Sequence, residues 1–283
     1  MRYIDLHVHS NCSDGTFSPE ELVVLGIKQE LVAFSLTDHD TICGVEPAMK
    51  KAEEFDHKIQ VIPGVELSCK YMVSPSQSVE IHMLGYQYDI HNKKLIDTLE
   101  NISKERDARN QKMCKNLQDA GYPISYEALC ERFGDTILTR AHFARLLLEN
   151  GGVPSMDYAF HTCLSSDSPY FVNREYLTPK SAIELIQESG GIPVLAHPLL
   201  YKLSVSQIRH MLDQLTSYGL CGIEALYSRN RGTDEAFVRK LADEYNLFIT
   251  GGSDFHGSNK PDIELGRGTG DLRVPVMLLE NLR

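Results

Sequence analysis

Short apolar, β-branched runs recur along this chain at residues 3–6, 31–36, 59–65, 79–86, 191–196, 222–226 and 247–250, each leaving into a turn. Most are separated by helical patterns, at 19–29 behind a Ser18 cap, 45–55, 179–189 and 234–245. Strand–helix alternation of this kind predicts an α/β protein with a mainly parallel sheet, and seven strands suggest barrel-like closure. An open doubly wound sheet is the alternative, but no G-x-G-x-x-G follows the first run.

Residues 93–176 break the alternation. The stretch 93–120 reads as one long amphipathic helix with Leu95, Leu99, Ile102, Met113 and Leu117 on its apolar side, stopped by Gly121 and Pro123. Shorter helical pieces are expected at 126–133, 140–150 and 156–164. The chain is thus expected to divide into a first barrel part (1–92), an all-helical insertion (93–176) capping one end of the barrel as a substrate cover, and a second barrel part (177–283). The insertion carries 11 basic against 12 acidic residues, so almost all of the net charge of −11 lies elsewhere.

At 283 residues the chain has room for one large domain or one domain with a sizeable insertion. No apolar run approaches the ~18 residues that a membrane span needs, so no membrane partner is expected. Strand-like residues begin at Arg2, which leaves no expected signal peptide. The seven cysteines are scattered and never form a C-x-x-C pair, which points to a reducing cytoplasm rather than a disulfide framework. A net charge of −11 is the wrong sign for gripping long duplex nucleic acid with a broad basic face. The sequence carries no signal for an oligomeric state.

The chemistry concentrates where the apolar runs stop. The first run leads into Asp5-Leu6-His7-Val8-His9, where residues two apart on a strand share a face and can turn toward one ion. Asp14 follows in a Ser13-Asp14-Gly15 turn. The second run ends in Thr37-Asp38-His39-Asp40: either a ligand histidine oriented by the Asp38 and Asp40 carboxylates, or a hydrogen-bonded turn capping the next helix. The third ends at Glu66, the fourth holds His82, the fifth ends in Ala196-His197-Pro198, and the last in Ser253-Asp254-Phe255-His256. Each has a bland alternative as a cap, a core histidine or a solvated turn. Jointly they do not, because strand ends in alternating barrels converge on one face. Nine nitrogen and carboxylate donors suit two or three divalent cations. His57 and His91 in polar turns, His161 in the insertion and His210 on a surface-like helix are not expected to be ligands.

This set of motifs, in this order, resembles the PHP (polymerase and histidinol phosphatase) family of metal-dependent phosphoesterases. The resemblance implies a distorted (β/α)7 barrel with the helical insertion, holding up to three ions, Mn first and Fe, Zn or Mg as alternatives. Carried over, His7, His9, Glu66 and Asp254 would hold one ion, Asp14, His39 and His256 a second, and a bridging Glu66 with His82 and His197 a third. Asp254 and His197 would also stand at the reacting centre. Some family members have histidine in place of Asp14. The segment Leu138-Thr139-Arg140-Ala141-His142-Phe143-Ala144-Arg145 resembles stand-alone members acting on nucleoside 3′,5′-bisphosphates and short oligonucleotides. There Thr139 can cap a helix whose first turn offers Arg140 and His142 to a terminal phosphate. Arg229, Arg106 and Arg109 are weaker candidates for the same task.

The implied function is hydrolysis of phosphate from nucleotides or 5′-phosphorylated short oligonucleotides, through a hydroxide bridging two ions. The ions would make the site of an acidic protein locally positive. No G-x-S-x-G or C-x(5)-R nucleophile motif competes. A histidinol-phosphate-type phosphomonoesterase, an amidohydrolase-like metal hydrolase and a non-catalytic PHP module are the alternatives.

Overall fold

A computed structural model of the chain describes residues 2–56, 58–134 and 136–282. The expectation for His57 therefore lies outside the described residues. Strand β1 (Tyr3–Val8), helix α1 (Pro19–Lys28), β2 (Leu31–Leu36), α2 (Val45–Glu53), β3 (Gln60–Ser74) and β4 (Gln77–Tyr86) come first. Helices α3 (Lys93–Asp119), α4 (Tyr126–Phe133), α5 (Arg140–Glu149) and α6 (Met156–Tyr158) follow, the last running into a π-helical turn at Ala159–Cys163. The chain returns to the sheet through α7 (Pro179–Glu188), β5 (Ile192–Leu195), α8 (Val205–Ser217), β6 (Gly222–Tyr227), α9 (Asp234–Tyr245), β7 (Phe248–Gly252) and β8 (Val274–Pro275).

Local chemistry explains most boundaries. Ser18 caps α1 in a reciprocal box with Glu21, and Pro19 sits at the first helical position, where its missing N–H costs nothing. Asn92, Ser125 and Thr178 cap α3, α4 and α7 without the reciprocal bond, each side chain accepting a first-turn N–H.

The sheet order is β7-β6-β5-β4-β3-β2-β1-β8. Pairing is parallel from β1 to β3 and from β5 to β7. The expectation of a mainly parallel, seven-stranded sheet needs two amendments: β4 runs antiparallel to both β3 and β5, and a short eighth strand, β8, pairs antiparallel with β1. No helix lies between β3 and β4, so the chain must reverse in a hairpin at Ser74-Pro75-Ser76-Gln77. β3 also runs on to Ser74, past the expected end at 65, because its polar residues Glu66, Ser68 and Lys70 interrupt the apolar run without interrupting the ladder.

The barrel closes where β1 meets β7. Asp254 donates its N–H to the His7 carbonyl at 2.8 Å and His9 donates to the Phe255 carbonyl at 3.0 Å. Asp5 fastens the same seam from below, its buried carboxylate accepting from Ser253 N–H (2.8 Å), Ser253 Oγ (2.5 Å) and Gly266 N–H (2.8 Å). Burial pushes the Asp5 carboxyl up to about 6, against the pull of its Ser253, Gly266 and His7 hydrogen bonds.

The barrel core includes Ile4, Leu6, Leu67, Met83, Leu195 and Ile223, all fully buried. A separate cluster built on Met113, Leu117, Leu129, Phe143 and Leu147 forms the core of the helical layer. Helix α3 joins the two: Leu95, Leu99 and Ile102 pack into the barrel core, while Met113, Cys114 and Leu117 belong to the helical one.

Gly252 is where the seam is tightest. A Cβ there would lie 2.3 Å from the His7 Cβ and 2.4 Å from the His7 nitrogen. Gly252→Ala should therefore destabilise the chain by about 1–3 kcal/mol or more in denaturant unfolding, the usual cost of overpacking. Wild-type stability in that variant would show that β1 and β7 are not in contact there.

Candidate metal centre

His7 near the end of β1 and His9 just past it lie two residues apart, and both are fully buried. Thr37 holds that end in place, its Oγ1 accepting from the Val8 N–H at 3.0 Å. Glu66 lies opposite, its backbone bridged to His39 through Glu66 N–H to Asp38 carbonyl (3.1 Å) and Asp40 N–H to Glu66 carbonyl (3.0 Å). The Glu66 carboxylate then faces five imidazoles. Its Oε2 is 3.3 Å from His7 Nε2, 3.2 Å from His9 Nε2 and 3.1 Å from His39 Nδ1. Its Oε1 is 2.8 Å from His82 Nδ1 and 2.9 Å from His197 Nε2.

Two further carboxylates complete the floor. Asp254 Oδ1 lies 3.4 Å from His9 Nε2 and 3.7 Å from His7 Nε2, while its Oδ2 accepts from Tyr227 Oη (2.8 Å) and Lys260 Nζ (2.6 Å). Asp14 Oδ1 is 3.2 Å from His256 Nε2 and 3.7 Å from His9 Nδ1, and its Oδ2 is 3.8 Å from His39 Nε2. Three overlapping donor sets result: His7-His9-Glu66; His9-Asp14-His39-His256; and His39-Glu66-His82. They share members with the three sets carried over from the family. Asp254 lies beside the first set rather than within it, His9 joins the second set as well as the first, and His39 rather than His197 completes the third. His91, His161 and His210 are exposed and stand apart from this centre.

Burial works against charge on all three carboxylates, yet their neighbours win. His82, His39 and His7 hold Glu66 well below the usual carboxylate range; His256 and His39 do so for Asp14, and Lys260, His256 and His7 for Asp254. The imidazoles split. His9 and His82 rise to about 9 and about 10 as nearby carboxylates outweigh their burial, whereas burial presses His39 down to about 3. Several buried atoms find no hydrogen-bond partner among the described residues: His7 Nε2, both His9 nitrogens, Asp14 Oδ1, His39 Nδ1 and His197 Nδ1. Orphaned donors and acceptors at this density are costly unless cations bind among them, and mixed imidazole–carboxylate sets fit divalent transition ions.

The backbone is strained at the same place. Asp40 (φ 52°), His197 (φ 23°) and Asp254 (φ 56°) are non-glycine residues on the left-handed side, a cost of order 1–3 kcal/mol each that persists where the surroundings overdetermine it. For His197 and Asp254 the result is a side chain turned back over the strand ends.

The supporting carboxylates do something other than expected. Asp38 accepts from Ser10 N–H (2.8 Å), Ser10 Oγ (2.6 Å) and Ser13 Oγ (2.6 Å), and so fixes the loop that carries Asp14. Asp40 accepts from Ser68 N–H at 2.9 Å and pairs with Arg106 and Arg174. Neither is hydrogen bonded to the His39 ring among the described residues, so the expected orientation of that ring by its flanking acids is corrected: both act through loop and arginine contacts. Glu224 was not foreseen. Fully buried on β6, it accepts from His7 Nδ1 at 3.0 Å and from the His197 N–H at 2.9 Å, which leaves His7 Nε2 facing the centre. A lone acid in the apolar run Gly222-Ile223-Glu224-Ala225-Leu226 was the available signal.

Above the floor is a pocket of about 120 Å³ lined by Asp14, His39, Ser68, Glu80, His82, Arg106, Thr139, Arg140, Ala141 and Phe160. Arg140 is partly exposed and paired with Glu80 Oε2 at 3.1 Å. His142 does not reach the pocket. Its Nδ1 accepts the Thr139 N–H at 2.9 Å in a capping box, and its ring packs edge-on against Phe133. Arg229 lies outside as well, in an exposed pair with Asp262 (2.6 and 3.1 Å). Both assignments as phosphate contacts are therefore corrected: one ring is occupied as a cap and the other side chain points to a surface partner. Arg109 is buried against Met113, its guanidinium pushed down to about 9 by burial and by Arg106. A larger cleft of about 440 Å³ meets this region only at Asp40 and contains none of the nine donors.

Comparison with known proteins agrees with this architecture. The PHP domain family matches residues 5–151. The chain is 31% identical over 263 residues to the 5'-3' exoribonuclease Rnm of Escherichia coli, covering 93% of this chain and 88% of that protein. It is 29% identical over 268 residues to a 3',5'-nucleoside bisphosphate phosphatase of Chromobacterium violaceum, covering 94% and 91%. A crystal structure described as a metal-dependent phosphoesterase of Bifidobacterium adolescentis superposes with a TM-score of 0.85 at 27% identity, over 99% of this chain and 95% of that one.

The capping role of His142 has a pH signature. Its ring is 4% exposed, and burial presses its pKa from 6.5 to about 4. A base whose pKa is lowered by folding stabilises the fold above the unfolded value and loses that contribution as pH falls through the folded one. Between pH 6.5 and 4 the loss should reach about 3 kcal/mol at 1.36 kcal/mol per unit. His142→Gln keeps a capping acceptor without the titration. Unfolding free energies across this window should fall more steeply for the wild type; equal slopes would assign His142 no buried neutral role.

Proposed function

Since the chain belongs to the PHP domain family, we propose that it is a metal-dependent phosphoesterase that hydrolyses phosphate from nucleotides, either nucleoside 3′,5′-bisphosphates or 5′-phosphorylated short oligonucleotides. The observation that carries this reading is the meeting of two buried carboxylates and five imidazoles in overlapping donor sets, with Asp254 and His197 beside them, beneath a pocket walled by Arg106 and Arg140. The relatives named for exoribonuclease and bisphosphate phosphatase activity support the substrate class.

His7, His9, Asp14, His39, Glu66, His82, His197, Asp254 and His256 would hold two to three divalent ions, manganese first among them. Such ions supply Lewis acidity: they lower the pKa of water toward neutrality and neutralise phosphoryl oxygens. The chain's own part is orientation. Glu224 sets the His7 ring, Tyr227 and Lys260 hold the far oxygen of Asp254, and Asp38 holds the Asp14 loop. Arg140, at the start of α5, offers two donors to a substrate phosphate distant from the reacting one, with the positive end of the helix behind it. Residues 93–176 serve as the cover over a barrel formed by 1–92 and 177–283. A cytoplasmic location accords with seven cysteines that are all unpaired.

Reconstituted protein should contain two to three transition ions per chain by elemental analysis, and His39→Ala should lose one. No more than one ion in the wild type would end the polynuclear reading.

The substrate class is tested by turnover of the manganese-loaded protein on adenosine 3′,5′-bisphosphate, a 5′-phosphorylated dinucleotide and histidinol phosphate. Arg140→Ala should weaken kcat/KM on the bisphosphate by about 1.5–3 kcal/mol, the range for a hydrogen bond to a charged group. Its effect on p-nitrophenyl phosphate, which has no second phosphate, should be much smaller. Equal losses on both would make Arg140 a structural residue and leave a general phosphomonoesterase.

A further inference from the structure

The turn Ala159–Cys163 is π-helical, closed by a hydrogen bond from the Leu164 N–H to the Ala159 carbonyl at 2.9 Å. Turns of this kind are rare and gather at functional sites. Here the wide turn anchors Ala159 and Cys163, both fully buried in the core of the helical layer, and leaves Phe160 between them at 36% exposure. Among the large apolar side chains exposed on the described residues, Phe160 is the one that lines the pocket above His39 and His82. A single exposed apolar ring is ordinary on a protein surface; what sets Phe160 apart is its place in the wall of a pocket otherwise lined mainly by polar side chains.

The pocket itself limits what occupies it. At about 120 Å³ it is well below the roughly 300–1,000 Å³ of pockets that enclose a whole organic ligand. Its polar lining, with Arg106 and Arg140 beside Asp14, His39, Glu80 and His82, suits the phosphate groups of a substrate and not its base. A nucleotide entering phosphate first must leave its base at the rim. We propose that Phe160 is the platform on which the substrate's nucleobase stacks, making it a specificity residue that separates nucleotides from other phosphate esters. This deepens the nucleotide phosphoesterase reading above and rests on it. A phenyl face offers no hydrogen-bond donor or acceptor, so recognition is of a base as such: adenine and uracil are both accepted, the larger purine more tightly.

The test uses two substrates that differ only in the base, adenosine 3′,5′-bisphosphate and ribose 3,5-bisphosphate. Phe160→Ala should lower kcat/KM on the nucleotide by about tenfold to a hundredfold, the span for loss of one base–aromatic stack, mainly through KM. The loss on the base-free compound should be at least about five times smaller, and Phe160→Tyr should restore most of the nucleotide activity. Equal losses on the two compounds would make Phe160 a packing residue and overturn the proposal. A second measurement does not need turnover. The chain has no tryptophan, so Phe160→Trp introduces at the rim a single tryptophan that can be excited at wavelengths where the tyrosines do not absorb. Its fluorescence should be quenched by adenosine 3′,5′-bisphosphate and not by ribose 3,5-bisphosphate; no differential quench would overturn the proposal. If the manganese-loaded wild type hydrolyses neither compound, the phosphoesterase reading fails, while the quench still decides whether a base docks at Phe160.

Discussion

A single buried carboxylate, that of Glu66, sets the terms for the rest of this molecule. It is 1% exposed and meets ring nitrogens from β1, the loop after β2, β4 and the turn after β5. A carboxylate so far from water is tolerated only if positive charge is kept beside it, whether as protonated imidazole or as bound cations. Glu66 therefore fixes where four separate segments must converge, and with them the mouth of the barrel.

Closure of the barrel is the second half of the same problem. Parallel strands bring their downstream ends to one rim, but β4 runs the other way, so His82 reaches the centre from mid-strand while His7, His9 and Asp254 come from strand ends. The seam between β1 and β7 places Asp254 against His7 through the backbone before their side chains meet any ion. Asp5 and Asp38, buried and hydrogen bonded to serines and backbone N–H groups, brace the seam and the Asp14 loop. Left-handed backbone at Asp254 lies next to the Asp5–Ser253 hydrogen bonds and that at His197 next to the Glu224 hydrogen bond to its N–H, and burial raises the pKa of both Asp5 and Asp38. Stability is thus traded locally for geometry.

Electrostatics at the entrance differ from those of the whole chain. The molecule carries −11, yet Arg106, Arg140 and Arg174 crowd around Asp40 and Glu80 at the wall of the site. Arg106 and Arg174 together outweigh burial and keep the Asp40 carboxyl below its ordinary value. An anionic ester entering there meets guanidinium groups already paired with the buried Asp40 and the half-buried Glu80, so little side-chain freedom remains to be lost on binding.

Much of this was legible in the residues alone. The alternation of apolar runs and helical stretches determined an α/β protein, because period two and period 3.6 leave distinct marks on a chain, while closure into a barrel was suggested by the strand number and implied by the family resemblance. The clustering of His, Asp and Glu at the ends of those runs determined that one rim would carry the chemistry, since side chains two apart on a strand share a face. What it could not determine was partnership across the sheet. The antiparallel hairpin of β3 and β4, the role of Glu224, the pairing of Asp40 with arginines from α3 and from residue 174, and the withdrawal of His142 into a cap each depend on residues far apart in sequence. Sequence spacing decides which way a side chain faces along its own strand or helix. Only the packed structure decides which distant side chain it meets, because that is settled by burial and charge balance summed over the whole barrel.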